Sequence, residues 1–105
     1  MKEIFWRGSS YEDLKGFPAG AKSDAGYQLD KVQRGLEPSD WKPMTVIGAG
    51  VKEIRIQEAG DAFRVIYVAN IGDSLYVLHA FQKKSQKTSA KDLNLAKARF
   101  KTIVR

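Results

Sequence analysis

The chain has 105 residues, 43% apolar and 29% charged, which predicts one soluble globular domain over residues 1–105 and excludes a disordered tail. With no cysteine and one histidine, disulfides, cysteine nucleophiles and zinc sites of thiolates or several imidazoles are excluded, and no apolar run nears the roughly 20 residues of a membrane span. The net charge of +6 is unevenly placed: residues 1–81 carry ten Lys/Arg against eleven Asp/Glu, whereas residues 82–105 carry eight against Asp92 alone.

Residues 2–7, centred on Ile4, Phe5 and Trp6, predict a short strand; they lack the apolar stretch of a signal peptide, so a cytoplasmic location is expected. Ser9-Ser10-Tyr11-Glu12 reads as a capping box opening a short helix that runs to about Gly16. Pro18 suits the first turn of a second helix, in which Ala21, Ala25, Leu29, Val32 and Leu36 form one apolar stripe and Gly35 marks the end. Residues 37–43 are expected as a loop with Trp41 packed back on the body, residues 44–47 as a short edge strand, and Gly48-Ala49-Gly50 as a turn.

Three strands follow at 51–57, 62–70 and 74–82, rich in Val, Ile, Tyr and Phe, with Gly60 and Gly72 marking tight antiparallel connections. Residues 83–88 form a polar crossing. Ser89-Ala90-Lys91-Asp92 then caps a last helix of about 14 residues with Leu93, Ala96, Phe100 and Ile103 inward and its cations outward. The expected fold is α+β, with the helices grouped against one face of a curled antiparallel sheet.

The cation-rich last quarter fits a polyanion, nucleic acid first, or else a solvated basic face. Lys52 and Arg55, which differ in parity, suggest a bulge in their strand. Arg64 stands in the apolar run Phe63–Val68. It either pairs with a carboxylate, Glu53 or Glu58 being nearest in sequence, or points into a groove that a ligand anion completes. If the strands are antiparallel neighbours, Arg55, Arg64, Lys83 and Lys84 converge as a phosphate cradle. Phe81 is either a platform for a base or a core residue, and His79 is either a general base or a buried histidine bonded to its surroundings. Nucleotide-loop, nucleophile-elbow and metalloprotease motifs are absent, and the carboxylates do not cluster as a two-metal nuclease requires. No cofactor and no metal is therefore expected. RNA cleavage here would proceed by attack of a 2′-hydroxyl on its own phosphate, with Arg and Lys offsetting the growing charge.

Taken in order, several stretches resemble the phage-derived, HigB-like branch of the RelE/ParE toxin superfamily. These are Leu29 to Gly35 with Pro38, Trp41-Lys42-Pro43-Met44, Ile47-Gly48, Lys52-Glu53-Ile54-Arg55-Ile56, Phe63-Arg64-Val65-Ile66-Tyr67, the run Leu78-His79-Ala80-Phe81-Gln82-Lys83-Lys84 continuing through Lys87-Thr88, and a final helix with Ala96 and Arg99-Phe100. The resemblance covers nearly the whole chain. It implies a RelE-like fold and a toxin that cleaves messenger RNA on the ribosome, neutralised by a helix-turn-helix antitoxin. It also implies catalytic roles for Arg64, Arg55 and Lys84 and an RNA contact from Lys83; RNA contacts are expected as well from Lys52, Phe81 and Lys87. RelE-type enzymes often carry a tyrosine near the chain end, where this sequence has Phe100, so the general acid and base stay open among Lys52, Lys84 and His79. Two other readings share the fold: a ParE-like inhibitor of DNA gyrase, and a non-catalytic nucleic-acid-binding protein of phage origin.

Overall fold

The computed structural model describes residues 1–103. Its elements are β1 (Glu3–Trp6), α1 (Ser10–Lys15), α2 (Ala19–Gln33), β2 (Trp41–Pro43), β3 (Val51–Glu58), β4 (Asp61–Ile71), β5 (Ser74–Lys83) and α3 (Ala90–Lys101). The five strands form one sheet in the order β1-β5-β4-β3-β2. The architecture is α+β, as expected, and the meander β3-β4-β5 is antiparallel. The sheet as a whole is mixed, because β1 pairs parallel to β5, from Glu3 with Ser74 to Trp6 with Val77.

The hairpins follow from their turn residues. Glu58 pairs with Asp61, which leaves Ala59 and Gly60 as a two-residue turn at φ 52° and 84°. Two positive φ angles match the twist of the flanking strands, and only the second is carried by glycine.

The helices do not share one face. Leu14, Phe17, Ala21, Ala25, Leu29 and Val32 from α1, α2 and the turn between them pack on Ile54, Ile56, Val65, Tyr67 and Val77. On the opposite face, Ala96 of α3 with Leu93, Phe100 and Ile103 covers Val51, Ile66, Val68 and Leu78, joined by Met44 and Ile47. The reason lies in β4. Phe63 through Val68 is buried without interruption, the pattern of a strand covered on both sides, so the second face needs a helix of its own.

Three local expectations are corrected. The edge strand comes at Trp41–Pro43 and not at 44–47, because Trp41, Lys42 and Pro43 pair with Ile54, Glu53 and Lys52, after which Met44 and Ile47 turn inward. Pro43, with no N–H to donate, suits the end of an edge strand. The Ser9 side chain does not cap α1; its hydroxyl donates to the Asp13 carboxylate at 2.7 Å. The bulge lies not in β3 but in β5. The β3–β4 register is unbroken, whereas Ile66 pairs with His79 and Tyr67 with Val77, leaving Leu78 as the extra residue.

Candidate functional site

Strand alternation sorts the charged residues. On β3, Val51, Glu53 and Arg55 point to the face that α3 covers, and Lys52 points to the other. On β4, Arg64 shares the α3 face with Ile66 and Val68. The bulge at Leu78 resets β5 so that His79, Phe81 and Lys83 point the same way, beside Ile66, Arg64 and Ala62. One row across the sheet therefore reads Arg55, Arg64, Phe81, with Lys83 one step toward the hairpin end and Lys42 on the edge beside Glu53.

At the centre is Glu53, fully buried. Its Oε1 lies 3.5 Å from Arg64 Nε and 3.9 Å from Lys42 Nζ, and its Oε2 accepts from Thr88 Oγ1 at 3.2 Å. Thr88 belongs to the crossing after β5, so the 84–89 segment is fastened over the carboxylate. Arg64 is 4% exposed, and its Nη1 donates to the Phe63 carbonyl at 3.0 Å. Of the two readings of Arg64, the structure shows the ion pair with Glu53.

That pair does not isolate Arg64 from the other cations. Arg55 is its direct cross-strand partner and is exposed. Burial pushes the Arg64 guanidinium below its ordinary value; Glu53 opposes this, and Arg55 adds to it. The Lys83 ammonium is also lowered, by burial first and then by the positive charge of Arg64, against Glu53 and with further contributions from Lys42 and Arg55. Four cations thus crowd around one buried carboxylate, with Asp40 at the rim. Like charges placed directly across strands are unfavourable without a further anion, and groups displaced in this way tend to mark functional sites.

The remaining expected residues are distributed as follows. Lys84 is exposed beside Lys83 in a shallow recess with Gly60, Asp61 and Ser85, and Lys87 is exposed on the 84–89 segment. Lys52 does not join the cluster. It lies on the opposite face, held by Glu37 at 2.9 Å and over the Trp41 ring at 4.3 Å, because an unbroken strand keeps even- and odd-numbered residues on opposite sides.

Phe81 is 9% exposed and stacks on His79 with centroids 4.8 Å apart, so its ring is committed to the core and is not open to a base. His79 is 4% exposed with both nitrogens occupied: Nε2 is 2.7 Å from Asp92 Oδ1, and Nδ1 is 3.3 Å from Arg99 Nη1. An arginine can only donate, so the neutral ring carries its proton on Nε2 and gives it to Asp92. In this arrangement the histidine fastens α3 and has no nitrogen free for a substrate.

Sequence reasoning missed Lys42, Thr88 and Arg99. Lys42 could be found only through the β2–β3 register. The helical pattern puts Arg99 on an outward cationic face, whereas in the structure it turns inward and donates to the Leu78 carbonyl at 3.0 Å.

Among the described residues, no helix is long and apolar enough to cross a membrane. No curated protein matches the chain. The model of the phage-derived Gp49-like protein family (DUF891) matches residues 12–101; the chain belongs to that family, which is part of the RelE/ParE-like toxin superfamily and is associated with the toxins of toxin–antitoxin pairs.

Proposed function

We propose that this chain is the toxin of a type II toxin–antitoxin pair, of the HigB-like kind, and cleaves translated messenger RNA on the ribosome without a metal ion. The observation that supports this best is the surplus of positive charge around Glu53. Arg55, Arg64, Lys83 and Lys42 face one side of the sheet with too few carboxylates to balance them. A ribose-phosphate backbone supplies the missing anion.

Arg55 and Lys83, the accessible members, take the phosphate oxygens, while Arg64, held by Glu53, fixes the positive field behind them. Lys84 and Lys87 extend the contact along the RNA. The 2′-oxygen attacks the adjacent phosphorus as the bond to the 5′-oxygen breaks, leaving a 2′,3′-cyclic phosphate and a 5′-hydroxyl. The proton lost from the 2′-hydroxyl is balanced by one gained at the leaving oxygen. The cations stabilise the phosphorane between, where the charge is greatest. The partner that silences the toxin is a helix-turn-helix antitoxin.

The test is to induce the chain and map cuts in translated messenger RNA for the wild type, Arg55→Ala and Lys83→Ala. These variants are better probes than Arg64→Ala because neither side chain is closed into the core. Cuts that disappear in both variants support the reading. The burial of Arg64 favours a second reading, a ParE-like inhibitor that binds gyrase without chemistry, and growth arrest with uncut messenger RNA would support it.

A further inference from the structure

The two edges of the sheet differ. At one, β2 is three residues long, carries Lys42 and ends on Pro43, features that discourage a further strand from pairing. At the other, β1 has no proline and is apolar over Ile4, Phe5 and Trp6. The Arg7 amide donates to the Val77 carbonyl at 2.9 Å and Trp6 is the register partner of Val77, so Glu3, Phe5 and Arg7 turn their amides and carbonyls toward β5. Those of Lys2, Ile4 and Trp6 therefore point away from the sheet. Lys2 is already served by α2: its amide donates to the Gln33 carbonyl at 2.8 Å, and its carbonyl accepts from Gln33 Nε2 at 2.9 Å. The outward groups of Ile4 and Trp6 meet no partner among the described residues.

The side chains at this edge are equally unmatched. Phe5 is 38% exposed, its ring stacked on Tyr76 with centroids 5.4 Å apart. Ile4 and Trp6, on the other face, line a cleft of about 360 Å³ together with Tyr11, Leu14 and Leu29. Glu3 is exposed and Arg7 half-buried, and neither forms an ion pair among the described residues.

We propose that the occupant of this edge is a second copy of the chain, the two β1 strands pairing antiparallel about a two-fold axis at Phe5. An antiparallel mate must set free groups opposite free groups, which permits centres at Ile4, Phe5 or Trp6. A centre at Ile4 sets Trp6 opposite Lys2, whose groups Gln33 occupies. A centre at Trp6 sets Ile4 opposite Gly8, where the backbone has already turned at φ 56°. The centre at Phe5 sets Ile4 opposite Trp6 of the second copy, twice by symmetry, and uses every free group of both residues in four hydrogen bonds. The same register puts Glu3 opposite Arg7, again twice, so each gains the opposite charge it lacks. It also brings Phe5 against Phe5 at a position without hydrogen bonds, where side chains approach most closely. Trp6 of the second copy lies beside Ile4 at the cleft, and two five-stranded sheets become one of ten strands. A strand from another protein would need this alternation of charge and free groups in its own sequence, whereas β1 matches itself. The proposal is independent of the nuclease reading, because no residue of the Glu53 cluster lies on β1.

The pairing is short, so the association is weak and concentration-dependent. The experiment is sedimentation equilibrium of the full chain across the micromolar to millimolar range, for the wild type, Glu3→Arg, Arg7→Glu and the variant carrying both. The expected result is a monomer–dimer equilibrium that each single reversal weakens about tenfold or more, because symmetry places every like-charge pair twice, and that the double reversal restores to within about threefold. Arg7→Glu lowers the overall positive charge, so weakening there does not come from general repulsion. Independently of any variant, isotope-filtered NMR on mixed labelled and unlabelled chain should show contacts between Ile4 and Trp6 of different copies. A monomer at every concentration, a dimer indifferent to either single reversal, a double reversal that stays weak, or a dimer without those contacts would each overturn the proposal.

Discussion

Arg64 Nε and Glu53 Oε1 stand 3.5 Å apart in the sheet interior, a buried ion pair whose arginine also faces Arg55 across the strands. Taking away Arg64 leaves the fully buried Glu53 with Lys42 at 3.9 Å as its remaining cation and Thr88 as its hydrogen-bond donor. Arg64→Ala is therefore expected to lose about 3–5 kcal/mol of stability, since the buried Glu53 loses its nearest cation. Replacing both, as Glu53→Met with Arg64→Met, should cost far less than Arg64→Ala alone, because methionines fill the space without a charge to solvate. Urea unfolding of Arg64→Ala and of the double variant measures this difference. Equal losses in Arg64→Ala and the double variant would show that the pair contributes nothing as a pair.

Ala59 takes φ 52° in the β3–β4 turn, where a Cβ is strained and asparagine or glycine is preferred. Ala59→Asn is expected to raise stability by about 0.5–1 kcal/mol, since the Asn-Gly pair suits this turn in both central positions. The urea midpoint should rise with an unchanged slope. A lower midpoint would mean that the turn does not hold this geometry in solution.

Much of this arrangement was legible in the sequence. Gly60 and Gly72 located both hairpins, and the stripe from Ala21 to Val32 located the long helix, because turn chemistry and period 3.6 are local properties. The side of the sheet that α3 covers was not read correctly, although the unbroken apolar run from Phe63 to Val68 carried the signal of a strand buried twice over. The site was harder still. Lys52 and Arg55 are three residues apart, and only an unbroken register shows that they face opposite ways. His79, Phe81 and Lys83 join Arg64 because a single residue, Leu78, is extra in β5. In β5, where Val77 to Phe81 is buried without interruption, such an insertion breaks no visible alternation of apolar and polar residues.

The phenol of Tyr67 is raised above its ordinary value of 10.0 by burial and by Glu37. The folded protein therefore keeps this proton to higher pH than the unfolded chain does. The resulting stability is fully present below pH 10 and is lost as pH rises above it toward the folded-state value. Tyr67→Phe has no such proton, so its stability should fall less steeply above pH 10 than that of the wild type, and the difference between the two curves isolates Tyr67 from the other alkaline titrations. Below that pH the variant should match or exceed the wild type, by up to about 1 kcal/mol, because it removes a buried hydroxyl without a partner. Parallel curves above pH 10 would mean that the hydroxyl reaches water.

Asp92 uses both carboxylate oxygens and its amide. Oδ1 meets His79 Nε2 at 2.7 Å, Oδ2 accepts from the Ser89 hydroxyl at 2.7 Å, and the amide donates to Ser89 Oγ at 3.1 Å, closing the N-terminal cap of α3. At the other end Arg99 ties the helix to Leu78 O, His79 Nδ1 and Ser9 Oγ. Asp92→Ala is expected to cost about 2 kcal/mol, the sum of a weakened cap and a lost charge-assisted bond, and to speed amide exchange in α3 while β4 stays protected. His79→Gln, which keeps a donor directed toward Asp92, should preserve both the helix and any messenger RNA cleavage to within about tenfold, that is about 1.4 kcal/mol. A His79→Gln protein that keeps α3 protected but no longer cuts would assign the imidazole a chemical role. Loss of both together would mean that the glutamine fails to hold the helix, and leave His79 as the fastening that positions α3 against the sheet.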